Sequence, residues 1–233
     1  MNRPRALDLF CGAGGVSYGL YLAGFDVVGV DINTQPHYPS THDAEHAQHF
    51  RFEQGNALEY PLEGFDLICA SPPCQAHTVL RSLHPDREYP DLIPATRERL
   101  RDAEALTCIE NVPGAPLGGG DQLIMLCGTM FGLLTPDGRA ELRRHRLFEL
   151  RGFTIALPPA CSHRLRALSV TGSTAQINVV RNTVRETFTA AAARAAMGIS
   201  WMPMKSLSQA IPPAYLEFIG RHALETIVAR RTS

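Results

Sequence analysis

The sequence predicts an α/β fold built on a mostly parallel, doubly wound sheet. Short apolar runs alternate with helical or polar stretches over about the first 130 residues, as expected for alternating strands and helices. A glycine-rich turn at residues 11–15 follows the first apolar run, and Asp31 ends the second. This layout is typical of nucleotide-binding sheets, because glycines let the backbone approach a ligand and the acid accepts hydrogen bonds from ribose hydroxyls.

The apolar pattern assigns the elements in chain order. Strands are predicted at residues 5–10, 25–31, 50–53, 65–70, 105–112 and 143–150, and helices at residues 16–23, 123–131, 187–197 and 213–229. Gly24 is expected to end the first helix. Residues 76–94 have the composition of a loop, and a connection of that length is typically a functional lid. Residues 151–184 show only short strand-like pieces.

Composition restricts the class of protein. The chain of 233 residues is 45% apolar, which fits one good core with at most a small lobe. No apolar run approaches the roughly 20 residues that span a bilayer. No signal peptide is evident, and the six cysteines are spread along apolar runs, so reduced thiols and a cytoplasmic location are expected. Cys161 and His163 have no further ligand at suitable spacing, so no metal site is predicted.

The charge distribution is uneven although the net charge is −1. Residues 139–185 contain nine arginines and only two acids, Glu141 and Glu149, which gives this segment a charge of +7. Such asymmetry favours a basic face for a polyanion. A solvated arginine-rich surface is the alternative.

Residues 71–75, Ser-Pro-Pro-Cys-Gln, directly follow a predicted buried strand. Cys74 therefore lies on a proline-stiffened turn at a strand's carboxyl end, where open α/β sheets bind ligands. A second apolar run ends in Glu110 and Asn111. A thiol that adds to C6 of a pyrimidine creates carbanion character at C5, and a carboxylic acid at N3 stabilises that charge. The pattern predicts Cys74 as nucleophile and Glu110, its pKa raised by burial, as acid; a merely structural buried cysteine is the alternative.

Arg144 and Arg146 stand two residues apart on a predicted strand and would share one face. Two guanidiniums on one face could hold a base carbonyl and a phosphate, or brace Glu110. An exposed basic edge strand is the alternative.

Taken in order, these motifs resemble those of cytosine-5 DNA methyltransferases. The similar segments are residues 8–15 for the first cofactor motif, 72–75 for the nucleophile, 110–112 for the acid, 144–146 for the arginines, and 188–198 and 208–220 for the ninth and tenth motifs. The family pattern is not fully met: Leu142 replaces a Gln, Asn56 replaces an acid that meets the adenine amino group, the ninth motif lacks its usual acid, and the tenth lacks its usual Gly-Asn start.

The resemblance implies a class I, Rossmann-like S-adenosylmethionine-dependent methyltransferase fold. It further implies methyl transfer to carbon 5 of cytosine in double-stranded DNA, with the target base flipped into the pocket and S-adenosyl-L-homocysteine as product. The implied catalytic residues are Cys74, Glu110, Arg144 and Arg146. The implied cofactor contacts are Phe10, Cys11, Gly12, Gly14, Asp31, Ile32, Asn56, Ala57, Gln209, Ala210 and Ile211. The implied substrate contacts are Ser71, Pro73, Gln75, Asn111, Arg164, Arg166 and Arg181.

The clearest departure from the family is size. Family members insert a target-recognition domain where this chain has only residues 151–185, too few for an independent core. We therefore expect a catalytic and cofactor-binding domain at residues 1–150, a reduced recognition segment at 151–185 and a returning segment at 186–233. Modest specificity is expected; a specificity subunit or a homo-oligomer stays open.

Other functions remain open on sequence alone. One branch of the family acts on tRNA, so an RNA cytosine-5 methyltransferase is a rival. A DNA-binding or regulatory relative without turnover is another, favoured by Leu142 and Asn56 but opposed by the intact Cys74 and Glu110. Amino-methylation is disfavoured because no aromatic follows Pro73, and free nucleotides are possible substrates. Small size and arginine bias favour a phage or prophage origin, with defence, regulation or self-protection as the role.

Overall fold

The computed structural model describes residues 3–42, 44–75, 77, 89–172, 174–177 and 187–232, without the side chains of 174–177 and 187. The strands are β1 (Arg5–Leu9), β2 (Asp26–Asp31), β3 (Phe50–Gln54), β4 (Leu67–Ala70), β5 (Leu106–Asn111), β6 (Gln122–Leu126), β7 (Ala140–Leu142), β8 (Arg146–Arg151), β9 (Arg166–Thr171), β10 (Thr174–Ile177) and β11 (Thr187–Phe188). The helices are α1 (Gly15–Ala23), α2 (Ile93–Arg101), α3 (Ala190–Met197), α4 (Met204–Leu207) and α5 (Pro213–Thr232).

The main sheet has seven strands in the order β3-β2-β1-β4-β5-β8-β6. Its first five strands are parallel, and β8 runs antiparallel to both β5 and β6. The chain moves outward from β1 to β3 and then returns to place β4 on the other side of β1. This reversal creates a crevice at the carboxyl ends of β1 and β4, where doubly wound sheets bind ligands. The predicted fold class is confirmed.

Alternating side chains of the strands supply both faces of the main core. In β1, Ala6 faces α1 and α5, whereas Leu7 and Leu9 face α2 through Leu100. The long helix α5 begins at Pro213 and lies against α1. Among the described residues, no helix is long and apolar enough to cross a membrane.

A second, smaller sheet has the order β11-β10-β9-β7. Its apolar side chains, such as Leu142 and Leu168, join a core with Met197 of α3 and Leu207 of α4. The described residues 151–172 therefore share a core with flanking parts of the chain and need no independent one.

The predicted helix at residues 123–131 is wrong. Residues 122–126 form β6, in which Ile124 and Leu126 are buried while Leu123 and Met125 are 46% and 43% exposed. This alternation has the two-residue period of a strand. A short 3-10 helix, Gly128–Phe131, follows.

The strand predicted at residues 143–150 is confirmed only over residues 146–150. β7 ends at Leu142 in the small sheet, where it pairs with Leu168, and β8 begins at Arg146 in the main sheet. Residues 143–145 connect the two sheets. Arg144 and Arg146 are therefore not brought together by strand alternation.

The predicted helix at residues 187–197 begins three residues later, at Ala190. Phe188 pairs with β10, and the Thr189 hydroxyl accepts a hydrogen bond from the Ala192 backbone N–H at 3.1 Å. Threonine is favoured at this capping position because its oxygen satisfies a free N–H of the first turn. Gly198, with φ of 68°, ends the helix.

Gly15 lies at a close contact between the glycine-rich turn and the C-terminal segment. A Cβ atom at Gly15 would lie 2.5 Å from the Ile211 carbonyl oxygen and 3.4 Å from the Ala210 Cβ. We expect Gly15→Ala to lower the free energy of unfolding by about 1–3 kcal/mol, because backbone must shift to admit the methyl group. The measurement is urea unfolding. Gly55→Ala is the control, because a Cβ atom at Gly55 would lie at an ordinary contact distance of 3.8 Å from Val30. An equal decrease in the free energy of unfolding in both variants would contradict the close contact at Gly15.

Asp8 makes stability depend on pH. Its buried carboxylate accepts a hydrogen bond from the Ser17 hydroxyl at 2.5 Å, and burial raises the pKa of Asp8 from 3.8 to about 7. Between those values the native state holds a proton that the unfolded state has released, so this group lowers the free energy of unfolding as pH rises, by at most about 1.4 kcal/mol per pH unit. In urea unfolding between about pH 4.5 and 7.5, we expect the free energy of unfolding of Asp8→Asn to fall less with rising pH than that of the wild type. Identical slopes would refute this.

Candidate active site

The turn that carries Cys74 is fixed at both sides. The Ser71 backbone N–H donates to the Leu9 carbonyl at 3.1 Å, which continues the β1–β4 pairing. The Pro72 carbonyl accepts a hydrogen bond from Asn111 Nδ2 at 2.9 Å. Pro72 is buried while Cys74 stays partly exposed, so a rigid turn presents the thiol at the carboxyl edge of the sheet.

Asn111 connects the two predicted motifs. It is the last residue of β5 and only 1% exposed. Its Nδ2 holds the Pro72 carbonyl, and its Oδ1 accepts from the Val112 backbone N–H at 2.9 Å. The side chain predicted to meet a substrate is thus engaged inside the protein, where it links the ends of β4 and β5.

Glu110 is buried on β5, with 6% of its surface exposed. Arg146 Nε lies 3.0 Å from Glu110 Oε1, but the pair lacks hydrogen-bond geometry, and Oε1 has no hydrogen-bond donor among the described residues. Burial raises the pKa of the Glu110 carboxyl, while Arg146 and then Arg144 oppose the rise. A carboxyl in this environment keeps its proton at a higher pH than ordinary glutamate, as a general acid requires.

Arg144 is partly buried where the two sheets and the C-terminal segment meet. Its guanidinium donates to the Val170 carbonyl at 3.2 Å and to the Ser208 carbonyl at 2.6 Å. Burial, with Arg146 as the next cause, lowers the pKa of Arg144 to about 9, so the group remains cationic at neutral pH. The Tyr215 hydroxyl donates to the Arg144 carbonyl at 2.7 Å. Arg144 therefore ties three segments together beside Glu110.

Three buried polar atoms in this region have no hydrogen-bond partner among the described residues. They are Ser71 Oγ, Glu110 Oε1 and Arg144 Nε. The Ser71 hydroxyl is near enough to Glu110 to oppose the rise in its pKa, but not with the geometry of a hydrogen bond. Unsatisfied buried groups each cost about 1–3 kcal/mol. A polar ligand with donors and acceptors would remove this cost.

The Cys74 thiol belongs to the same electrostatic group. Burial raises the pKa of Cys74, Arg146 opposes this, and Glu110 adds to it. The structure thus brings Cys74, Glu110 and Arg146 together at the carboxyl ends of β4 and β5, with Arg144 close enough to affect both pKa values.

The predicted cofactor contacts from the first half of the chain line the carboxyl ends of β1 to β3. Asp31 ends β2, and its carboxylate accepts from the Gly12 N–H at 3.0 Å and from the Asn33 N–H at 2.9 Å. Phe10 adopts a positive φ of 62°, which turns the chain out of β1. Ile32 is 67% exposed, which leaves an apolar side chain on the rim.

Asn56, which replaces the family's acid, is exposed in the turn after β3. Its Oδ1 accepts from the Leu58 backbone N–H at 3.1 Å, so the oxygen serves the turn itself. Ala57 beside it is buried. The predicted C-terminal contacts also reach this region, since Ala210 and Ile211 lie against Gly15.

The predicted recognition residues are not all near the thiol. Gln75 and Pro73 are exposed beside Cys74. Arg166 is the first residue of β9, and Val170, whose carbonyl accepts a hydrogen bond from Arg144, lies four residues further on. Arg166 and Val170 are therefore about 13 Å apart along the strand. Arg164 Nε donates to the Ser162 hydroxyl at 2.9 Å. Arg181 and most of the predicted lid lie outside the described residues.

Three further residues contribute contacts that the sequence analysis did not predict. Tyr215 and Ser208 contact Arg144 through a hydroxyl and a backbone carbonyl, and neither contact follows from any motif. His77, within the predicted lid, donates its backbone N–H to the Cys74 carbonyl at 2.9 Å, and its ring Nε2 lies 3.0 Å from Asp91.

The sheet order, the glycine-rich turn and the acid at the end of β2 define the class I S-adenosylmethionine-dependent methyltransferase fold. Within that class, residues 5–114 match the family model of C-5 cytosine-specific DNA methylase. The resemblance to cytosine-5 DNA methyltransferases is confirmed over this part of the chain, which carries both Cys74 and Glu110. No curated protein sequence matches the chain.

Solved structures share the fold at low sequence identity. A prophage-encoded E. coli protein described as a DNA modification methyltransferase superposes with a TM-score of 0.60 at 14% identity, covering 97% of this chain and 99% of the other. The Entamoeba histolytica methyltransferase EhMeth gives 0.57 at 12%, covering 100% of both chains. A mutant of Spodoptera frugiperda DNMT2 gives 0.53 at 13%, covering 97% and 99%.

The reactivity of Cys74 tests the electrostatics of the site. Because burial raises the pKa of Cys74, we expect the rate of its alkylation by iodoacetamide to increase with pH around a midpoint that is higher than that of an ordinary cysteine. Arg146→Gln removes the main opposing charge and should move the midpoint higher still. The measurement is peptide mass spectrometry over a pH series, with Arg51→Gln, an exposed arginine on β3, as control. A midpoint that falls in the Arg146 variant would contradict this arrangement.

Proposed function

We propose that this protein transfers a methyl group from S-adenosyl-L-methionine to carbon 5 of cytosine in double-stranded DNA through a covalent Cys74–C6 adduct. The observation that supports the proposal most directly is the hydrogen bond from Asn111 to the Pro72 carbonyl, which connects the acid motif to the nucleophile motif. Asn111 holds the Cys74 turn against the strand that presents buried Glu110, whose Oε1 receives no hydrogen bond from the residues that the structure describes.

The residues at the carboxyl ends of β1 to β3 fit the cofactor. The Asp31 carboxylate accepts three hydrogen bonds from described residues, from the Gly12 N–H, the Asn33 N–H and Asn33 Nδ2, and it keeps acceptor capacity for a ribose hydroxyl. The exposed Ile32 and the outward-turned Phe10 offer apolar surface to a purine. S-adenosyl-L-methionine bound here supplies an electrophilic methyl group, and S-adenosyl-L-homocysteine is its product.

Cys74 and Glu110 activate the ring. The Cys74 thiol loses its proton to solvent, and the thiolate Sγ forms a bond to C6, so the C5–C6 double bond breaks and its electrons move toward N3. Glu110 donates its proton to N3, which the raised pKa of this carboxyl permits. Carbon 5 of the resulting enamine is nucleophilic.

The same residues complete the reaction. After C5 carries the methyl group, its proton leaves to water, the C6–Sγ bond breaks, and the C5–C6 double bond re-forms. Glu110 takes back the N3 proton, and the released Cys74 thiolate takes a proton from solvent, which replaces the one it lost at the start. Both residues return to their initial protonation states over one cycle.

The two arginines have different roles. Arg146 is adjacent to both reacting side chains and lowers the pKa of each, so it favours the thiolate while it orients the carboxyl. Two guanidinium nitrogens of Arg144 donate to backbone carbonyls, and its Nε, which has no partner within the described part of the chain, is the atom left for the base or its phosphate.

Duplex DNA is the proposed substrate because the matching family model is that of a DNA methylase. The charge of +7 on residues 139–185 supports a polyanionic partner. We propose that residues 151–185 act as a reduced recognition segment with modest sequence specificity, and that the target cytosine is flipped out of the duplex.

The first test offers labelled S-adenosyl-L-methionine with duplex DNA, tRNA and dCMP in turn. We expect label in DNA as 5-methylcytosine, and at least about a 10³-fold loss in Cys74→Ser, since the nucleophile is gone. Calorimetry should show that the variant still binds the cofactor. Label in tRNA alone would move the protein to RNA modification, and cofactor binding without transfer to any substrate would indicate a non-catalytic relative.

A second test targets the covalent step. With 5-fluorocytosine in the duplex, C5 carries no proton to lose, so the Cys74 adduct should persist and survive denaturing electrophoresis. Glu110→Gln should slow adduct formation by roughly 10²–10⁴-fold, since the acid at N3 is lost. Glu63→Gln, at an exposed position, is the control. An adduct that forms equally fast in Glu110→Gln would remove the acid from the mechanism.

A further inference from the structure

Four side chains of metal-binding type converge between the two sheets. They are Cys127, His145, Cys161 and His163, and their ligand atoms all lie within 4.8 Å of one another. The sequence predicted no metal site because Cys161 and His163 had no partners at suitable spacing. Folding brings Cys127, which follows β6, and His145, which precedes β8, to the same point.

We propose that these four residues bind one zinc ion. Cys127 Sγ lies 3.4 Å from His163 Nε2, and Cys161 Sγ lies 3.7 Å from His145 Nε2. Zn–S bonds of about 2.3 Å and Zn–N bonds of about 2.0–2.1 Å, arranged as a tetrahedron, place neighbouring ligand atoms about 3.3–3.8 Å apart. The two measured separations fall within this range.

The ligand set favours zinc over other ions. Two thiolates and two imidazoles in a tetrahedron are typical of zinc, whereas magnesium and calcium prefer oxygen ligands. Four protein ligands leave no open position for water, which is typical of a structural site. Binding would displace the two thiol protons and require both imidazoles to be neutral.

The surroundings support a structural ion. Cys127 is fully buried, and its Sγ lies 3.3 Å from the Thr129 hydroxyl, which can donate a hydrogen bond to a thiolate. Residues 152–165, all described, contain no helix or strand, and Cys161 and His163 lie near the end of that segment. An irregular segment of this length needs fixed contacts to hold one conformation.

The site would stabilise the segment next to the active site. His145 lies between Arg144 and Arg146, and its carbonyl accepts a hydrogen bond from Arg146 at 2.8 Å. A zinc ion held by His145 would therefore anchor the connection between the two sheets, from which both arginines extend. The inference does not depend on the proposed reaction, because metal content is measured without substrate.

The test begins with metal analysis of the purified protein. We expect about one zinc per chain, and at least about a tenfold drop in the double variant Cys161→Ser, His163→Gln. Cys74→Ser and His42→Gln remove a thiol and an imidazole outside the cluster and should leave the zinc content unchanged. Equal zinc content in the double variant and the controls would overturn the proposal.

Reconstitution of the wild type covers the case in which the double variant fails to fold. Apoprotein prepared with a chelator should bind one equivalent of Co²⁺, with the intense visible bands of a tetrahedral site and a thiolate charge-transfer band. Zn²⁺ should abolish these bands and raise the Tm. Absence of these bands with no rise in Tm, or a Cys127–Cys161 disulfide found by mass spectrometry in protein purified without metal, would overturn the proposal.

Discussion

The buried hydrogen bond from Asn111 to the Pro72 carbonyl fixes the relation between the two halves of the candidate active site. Parallel pairing already places the ends of β4 and β5 one strand spacing apart, about 4.8 Å. Pairing alone does not orient the turn beyond β4. Because Asn111 is adjacent to Glu110, one amide sets the distance from the acid to the thiol. The two prolines limit the remaining freedom of the turn.

Electrostatics then determine what these groups can do. Glu110 is buried, which favours its protonated form, and Arg146 and Arg144 keep that preference from becoming extreme. The same arginines oppose the effect of burial on Cys74. The proposed covalent mechanism needs one group that keeps a proton and one that loses it, and the pKa values of Glu110 and Cys74 both depend on the same pair of cations. Substitution of either arginine should therefore alter the protonation of Glu110 and of Cys74 together.

The small sheet shows how a short segment is stabilised without a core of its own. It shares apolar contacts with α3 and α4. Glu141, buried on β7, accepts hydrogen bonds from the backbone N–H groups of Arg164 and Leu165, at 3.2 and 3.1 Å. Arg144 joins this sheet to the C-terminal segment, and the proposed zinc site would join it to the end of β6. These contacts couple the proposed recognition segment to the arginines of the active site.

The sequence by itself determined the parallel half of the main sheet, the turn that carries Cys74, and the strand that carries Glu110. These features depend on local apolar runs and on prolines and glycines, whose effects act within a few residues. Tertiary structure decided the rest. Residues 123–131 were assigned to a helix because a short apolar run fits either element, and only pairing with β8 selected a strand. Arg144 was predicted on a strand but lies in the connection at residues 143–145, where the chain passes from one sheet to the other. Asn111 was predicted to contact substrate, but its amide forms hydrogen bonds within the protein. Cys127 and His145 meet Cys161 and His163 only after folding, since contacts between residues distant in sequence leave no periodic or local signal.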